Sequence, residues 1–232
     1  MSIVPYRKNE RRERKRRPLD QQQVVRAAIA LLDEAGMDEL TMRRLAERLG
    51  VKAASLYRHV RDKDELLVLM ADEISSEIPL LRPTGTWREQ LTKAAWNMRR
   101  GLLAHRDAAR LLAAAPPFGP RRLRHIEAVL RVLREAGMSP RDAVRAAHVC
   151  NNFVTEFVAD EGRFRDMAGG SGASRKKILT EVRKHFEALP KEEFPTLVEL
   201  SDALADDDPE GLFRFGLEVL LSGLEKFAKA RA

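Results

Sequence analysis

The sequence predicts an all-α protein: an N-terminal helix-turn-helix unit followed by a larger helical body. Three observations carry this. Apolar residues recur at three- and four-residue spacings from residue 20 almost to the end. Helix start and stop signals separate those runs. No stretch alternates apolar and polar with period two, as a half-buried strand would. The 232 residues suffice for a good-sized core and one or two domains.

The elements follow in order. Residues 1–19 carry Arg7, Lys8, Arg11, Arg12, Arg14, Lys15, Arg16 and Arg17 against Glu10 and Glu13; charge this dense does not pack, and a disordered basic arm is expected. Asp20 and Gln23 have capping-box spacing, and Val24, Ala28, Leu31 and Ala35 then share one helical face up to Gly36. A second helix starts at the Thr41 cap, runs through Leu45 and Ala46 to Leu49, and closes at Gly50. A short third helix is expected over 53–59. Asp62 with Glu65 opens a fourth that reaches about Ile78, and Pro79 and Pro83 follow it.

Beyond them the pattern stays helical: 86–104, a short piece over 107–114, and 121–136. Ser139-Pro140 is a strong start for a helix over 139–161. Gly169-Gly170-Ser171-Gly172 reads as a flexible linker, followed by a polar helix over 174–188 and a short one over 196–204. Asp208-Pro209 opens the last helix, expected to end near Ala230. The expected units are therefore an arm (1–19), a helix-turn-helix domain (20–66) and a helical body (67–232).

The net charge of +7 is unevenly placed: residues 1–63 hold 16 Lys and Arg against 9 Asp and Glu, and the remainder balances at 26 of each. A basic head on a neutral body points to a polyanion. No apolar run nears the roughly 18 residues of a membrane span, the N-terminus lacks a signal peptide's apolar stretch, and a single cysteine, Cys150, excludes an intrachain disulfide. A cytoplasmic protein is expected. The histidines His59, His105, His125, His148 and His185 are scattered, without metal-ligand spacing, and Asp206-Asp207-Asp208 reads as a capping run before Pro209. Neither a catalytic constellation nor a metal site is expected.

Two helices cross tightly only where particular positions are small or kinked. Ala46 is small at the crossing, Gly50 takes a turn that a Cβ would oppose, and Leu45, Leu49, Val51 and Leu56 face inward. The run Leu40-Thr41-Met42-Arg43-Arg44-Leu45-Ala46-Glu47-Arg48-Leu49-Gly50-Val51, then Ser55-Leu56-Tyr57-Arg58-His59-Val60 and Lys63-Asp64-Glu65-Leu66-Leu67, resembles the DNA-binding domain of the TetR family, in particular its tetracycline-repressor branch. A looser likeness continues through Leu103-Ala104-His105-Arg106-Asp107, Ala136-Gly137-Met138-Ser139 and Phe215-Gly216-Leu217-Glu218.

The resemblance implies roles. Thr41 would hold a phosphate and Arg43 would reach a guanine; Lys52, Ala53, Ala54, Ser55, Tyr57, Arg58 and His59 match contacting positions of the recognition helix, and Lys63 a phosphate site at the next helix start. Ala53 stands where the tetracycline repressor has a long amide, and Arg58 where it has a large aromatic, so a different operator is expected. The basic arm either follows the adjacent minor groove or adds solvated, non-specific affinity.

The helices over 139–161 and 209–230 are apolar on more than one face and, by the resemblance, pair with their counterparts in a homodimer. A ligand cavity is implied between body helices, with Trp96, Leu112, Phe118, Asn152, Phe153, Thr155, Phe157 and Asp160 as candidates. Leu112 stands where the tetracycline repressor holds magnesium through a histidine, so neither magnesium nor tetracycline is expected, and no cofactor. The implied function is a repressor that binds a palindromic DNA operator and is released by a small-molecule inducer. The rival is an architectural protein binding DNA without sequence choice.

Overall fold

The computed structural model describes residues 19–167, 169 and 172–228. The basic arm lies outside them except Leu19, as do Gly170 and Ser171 of the expected linker. Among the described residues the regular structure is helical throughout.

Helix α1 (Gln21–Ala35) begins at a complete capping box, with the Asp20 carboxylate accepting from the Gln23 amide at 2.7 Å and Gln23 returning the bond. Helices α2 (Met42–Leu49) and α3 (Ala53–Leu56) follow. Helix α4 (Lys63–Glu77) is capped by Asp62, but the second half of the expected box is displaced: Glu65 accepts from the Arg61 amide instead. The body holds α5 (Trp87–Leu103), α6 (Ala108–Ala114), α7 (Pro120–Glu135) and α8 (Pro140–Met167). Helix α8 runs a turn and a half beyond the expected end because nothing before Gly169 breaks it, and the Gly162 it passes through meets no neighbour. Helix α9 (Gly172–Glu187) starts inside the expected linker. The short helix expected next is split at Leu200 into α10 (Pro195–Glu199) and α11 (Ser201–Leu204). Helix α12 (Pro209–Leu224) passes into a 3₁₀ turn ending at Phe227.

One continuous apolar core runs from Val24 in α1 to Leu224 in α12. Helix α4 joins its parts, touching α1 on one side and α5, α6 and α7 on the other. Helices α5, α7 and α8 form the body's centre, α6 wedges against α8, and α12 lies along α8. Helix α9 packs with α10 and α11 as an outlying group.

The densest part of the body is aromatic. Phe213 of α12 is fully buried, with the rings of Trp96, Phe157 and Phe153 centred 4.8, 5.1 and 5.3 Å away. Edge and offset arrangements at these distances add to the area term. The Arg99 guanidinium lies 5.2 Å from the Phe213 ring and is neutralised by a two-bond pair with Glu161, at 2.6 and 3.0 Å. That pairing makes a nearly buried arginine tolerable beside apolar rings. Phe213→Ala is expected to lower stability by about 3–5 kcal/mol, the range for emptying a large aromatic site; a urea denaturation midpoint close to that of the parent chain would refute this centre.

Candidate functional site

The elements expected to read DNA are built locally. Thr41 Oγ1 accepts from the Arg44 amide at 3.2 Å and starts α2. Gly50 sits at φ 65°, ψ 35°, the left-handed region that a side chain disfavours, and its turn returns the Val51 amide to the Ala46 carbonyl at 3.0 Å. Leu45, Ala46 and Leu56 are buried, and Leu49 and Val51 half-buried. The recognition helix ends at Leu56 rather than His59. The Leu56 carbonyl accepts from both the His59 and Val60 amides, at 2.8 and 3.0 Å. Val60 must re-enter the core and Asp62 must be extended to cap α4, so the chain leaves the helix early.

Tyr57, Arg58 and His59 consequently lie on that turn, and the His59 carbonyl accepts from the Gln21 side chain at 2.9 Å, fixing the turn to the start of α1. Thr41, Arg43, Lys52, Ala53, Ala54, Tyr57, Arg58 and Lys63 are exposed, and Ser55 and His59 half-buried. The arginines of α2 divide by partner. Arg44 turns back to Glu39, and Arg48 is held by Glu34. Arg43 is 85% exposed and only loosely beside Glu47, at 3.7 Å, which leaves it available outward.

A polar joint connects this unit to the body. His105, just after α5, donates from Nδ1 to Asp33 at 3.0 Å and from Nε2 to Glu77 at 2.9 Å. Its neighbours continue the contact: the Arg106 amide donates to Asp33, the Met37 amide to Asp107 at 2.7 Å, and Arg110 pairs with Asp38 at 2.9 Å. Asp107 adopts φ 56°, unusual for a residue with a Cβ, and its carboxylate bonds on both sides of the joint hold it there. Burial alone would push the His105 imidazole down; the hydrogen bonds to Glu77 and Asp33 outweigh it and hold its pKa above the usual histidine value.

A second feature is a cavity of about 140 Å³ in the body, walled by α4, α5, α6, α7, α8 and α12. Leu91, Met98, Leu112, Val129, Val154 and Leu217 supply much of its apolar surface, and Ser75, Arg122, His125, Cys150 and Asn151 the polar points. Of the expected ligand residues, Leu112 lies on this wall. Trp96, Phe153 and Phe157 belong to the aromatic cluster around Phe213. Phe157 and Asp160 also border an open groove between α8 and α12. Phe118 is 75% exposed on the loop before α7. Asn152 faces out with its amide against His148, and the Thr155 hydroxyl donates to the Asn151 carbonyl.

The residues that sequence reasoning passed over are Arg122, His125, Ile126 and Val129. They recur at helical spacing along α7, a signal present in the chain but mixed with other charges. The donor set does not fit a hard cation: the wall carries no carboxylate, and Leu112 has no oxygen or nitrogen to offer. No helix among the described residues is long and apolar enough to cross a membrane.

Comparison with known proteins agrees with this architecture. Residues 24–70 match the family model for bacterial regulatory proteins of the tetR family, and residues 78–228 match the tetracyclin repressor-like C-terminal domain. The chain is 37% identical over 208 residues to the class A tetracycline repressor protein of Escherichia coli transposon 1721, covering 88% of this chain and 89% of that one. It superimposes on Streptomyces coelicolor ActR in complex with actinorhodin with a TM-score of 0.81 at 33% identity, covering 93% of this chain and 99% of ActR. BioQ bound to its double-stranded DNA operator gives a TM-score of 0.62 at 30% identity, over 90% and 99% of the two chains.

Because the folded His105 pKa is raised, its stabilisation is complete below the ordinary value of about 6.5 and is lost as pH rises through the folded value. The thermal midpoint should therefore fall above pH 6.5, with that fall flattened in His105→Gln. Parallel midpoint curves for the two proteins would show that the joint does not hold a charged imidazole.

Proposed function

The chain belongs to the TetR family of bacterial transcriptional regulators, and from that membership we propose a ligand-responsive repressor that binds a palindromic operator as a homodimer. A small molecule filling the body cavity releases it. The observation that carries the DNA part is the exposed set of Arg43, Lys52, Tyr57, Arg58 and Lys63 on the helix-turn-helix, with Arg44 and Arg48 already held by glutamates. Residues 20–66 act as the reading unit and 67–232 as the body. The protein works by binding rather than catalysis, in the bacterial cytoplasm, where its operator lies.

The dimer rests on an uncovered apolar stripe. On α12, Leu212, Phe215 and Val219 are 62%, 69% and 57% exposed at positions one helical face apart, while Phe213, Leu217 and Leu221 of the opposite face are buried. A stripe of this kind on a folded chain marks an association surface. Of the two glycines seven residues apart on α12, Gly216 is taken by Phe153 of the same chain, whereas Gly223 has nothing beside it. A two-fold pair sets the recognition elements about 34–36 Å apart, one turn of DNA.

Release follows if the ligand binds the DNA-incompetent arrangement more tightly than the competent one. Leu112 and the carboxylate-free wall support an inducer held without magnesium. In Arg43→Ala and Tyr57→Ala, operator affinity measured by fluorescence anisotropy should fall about tenfold to a hundredfold each; unchanged affinity in both would place the reading surface elsewhere. Selection from random DNA should return a palindrome, whereas no preferred sequence would favour the architectural alternative. Phe215→Asp should yield a monomer in sedimentation equilibrium, with weaker operator binding, and a dimer of parental strength would refute the stripe as the interface.

A further inference from the structure

We propose that the cavity takes a largely apolar organic acid, bound as its anion without a metal, with the negative group received by the guanidinium of Arg122. This rests on the reading of the cavity as the inducer site and adds the charge of the molecule it accepts.

Among the described residues the wall has one charged side chain of fixed sign, Arg122, and no aspartate or glutamate. Its position is set by the last turn of α6: Nη1 donates to the Ala115 carbonyl at 2.7 Å and Nη2 to the Leu112 carbonyl at 2.9 Å. Those carbonyls orient the guanidinium and blunt its charge through the negative end of the helix, but they supply no full counter-charge. An arginine has five N–H donors, so three of Arg122's are uncommitted.

The neighbouring carboxylates are engaged elsewhere. Asp72 accepts from the backbone amides of Arg121 and Arg122 and lies near the Arg121 guanidinium, and Glu73 pairs with Arg121 at 3.0 Å. Among the described residues no carboxylate pairs with the Arg122 side chain. Arg99 shows the contrast, since it is also inside the body but fully answered by Glu161.

Burial lowers the Arg122 pKa without threatening its charge, because guanidinium stays protonated in proteins. The other titratable groups on the wall add no negative charge. Burial pushes the Cys150 thiol up to about 11, so it is neutral at pH 7. His125 donates from Nε2 to the Ser75 carbonyl at 3.0 Å and is neutral or cationic. A half-buried cation without a counter-ion, in an apolar chamber, favours an incoming anion over its neutral isostere, since the pair forms where water competes poorly. The apolar remainder of the wall requires the rest of the molecule to be hydrocarbon-like.

The test uses the full-length dimer and three matched pairs: benzoate, 2-naphthoate and anthraquinone-2-carboxylate, each beside its carboxamide. Isothermal titration calorimetry at pH 7.5 should show at least one acid binding about tenfold or more tightly than its amide. In Arg122→Gln that preference should shrink to about twofold, the acid losing more affinity than its amide, and Arg122→Lys should keep part of it. Equal binding of acid and amide, binding by no acid, or a preference that survives Arg122→Gln would each overturn the proposal. The comparison on the parent chain stands even if the variants fold poorly. Operator release separates this from the inducer reading. Neutral molecules that bind and release DNA leave a ligand-responsive repressor without the anion requirement. An acid that binds with the expected preference but leaves operator affinity unchanged supports the anion site and refutes the inducer reading.

Discussion

The carboxylate of Asp72 fixes the geometry on which the rest depends. It is 5% exposed, on the inner face of α4, and its Oδ1 accepts from the backbone amides of Arg121 and Arg122 at 2.7 and 2.9 Å. Those amides are orphan donors at the start of α7, where the helix dipole also favours a negative charge. The approach is close enough that a Cβ at position 119 would overlap Asp72, which accounts for glycine there. One turn further along α4 the Ser75 carbonyl accepts from His125. The three bonds lock α4 and α7 in one register, and residues beside them line the cavity. Removing either partner would leave a buried polar group unanswered, a larger loss than the bond itself.

Helix α4 thereby serves two regions at once. Its first residue follows the turn that presents Tyr57 and Arg58, and its last turns border the cavity through Ser75 and Ile78. Fifteen residues span roughly 22 Å, so a rigid element connects the two without intermediate parts. The polar joint gives the arrangement a second connection, because His105 bonds simultaneously to α1 through Asp33 and to the end of α4 through Glu77. The cavity wall and the helix-turn-helix are thus joined twice, through a packed helix and through a charged joint.

Arginines recur throughout this structure, and their partners decide what each one does. Arg44 and Arg48 meet glutamates at the surface of the helix-turn-helix and tie its helices to the chain before them. Arg99 meets Glu161 and closes the aromatic cluster. Arg43, lacking a close partner, remains on the outer surface. Arg122, bonded only to carbonyls, brings uncompensated charge to an apolar chamber. Side-chain type is common to all of them, and distance to a carboxylate separates those with a close counter-charge from those left without one.

The sequence by itself determined what short-range physics controls. The Asp20 capping box, the Thr41 cap, the Gly50 turn and the Ser139-Pro140 start depend on residues three or four apart, and each formed as its local chemistry requires. The helix-turn-helix and the exposed positions upon it were legible for that reason. The recognition helix came out shorter because Val60 answers to the core, a long-range demand. The cavity was largely illegible. Trp96, Phe153 and Phe157 are chemically suited to a ligand, yet the crossing of α5, α8 and α12 turns them onto Phe213. Arg122 resembles any other charged residue of α7 until its carbonyl partners on α6 are in place. Composition and spacing set which faces are apolar, but only the packed helices decide which apolar face meets a neighbour and which one borders empty space.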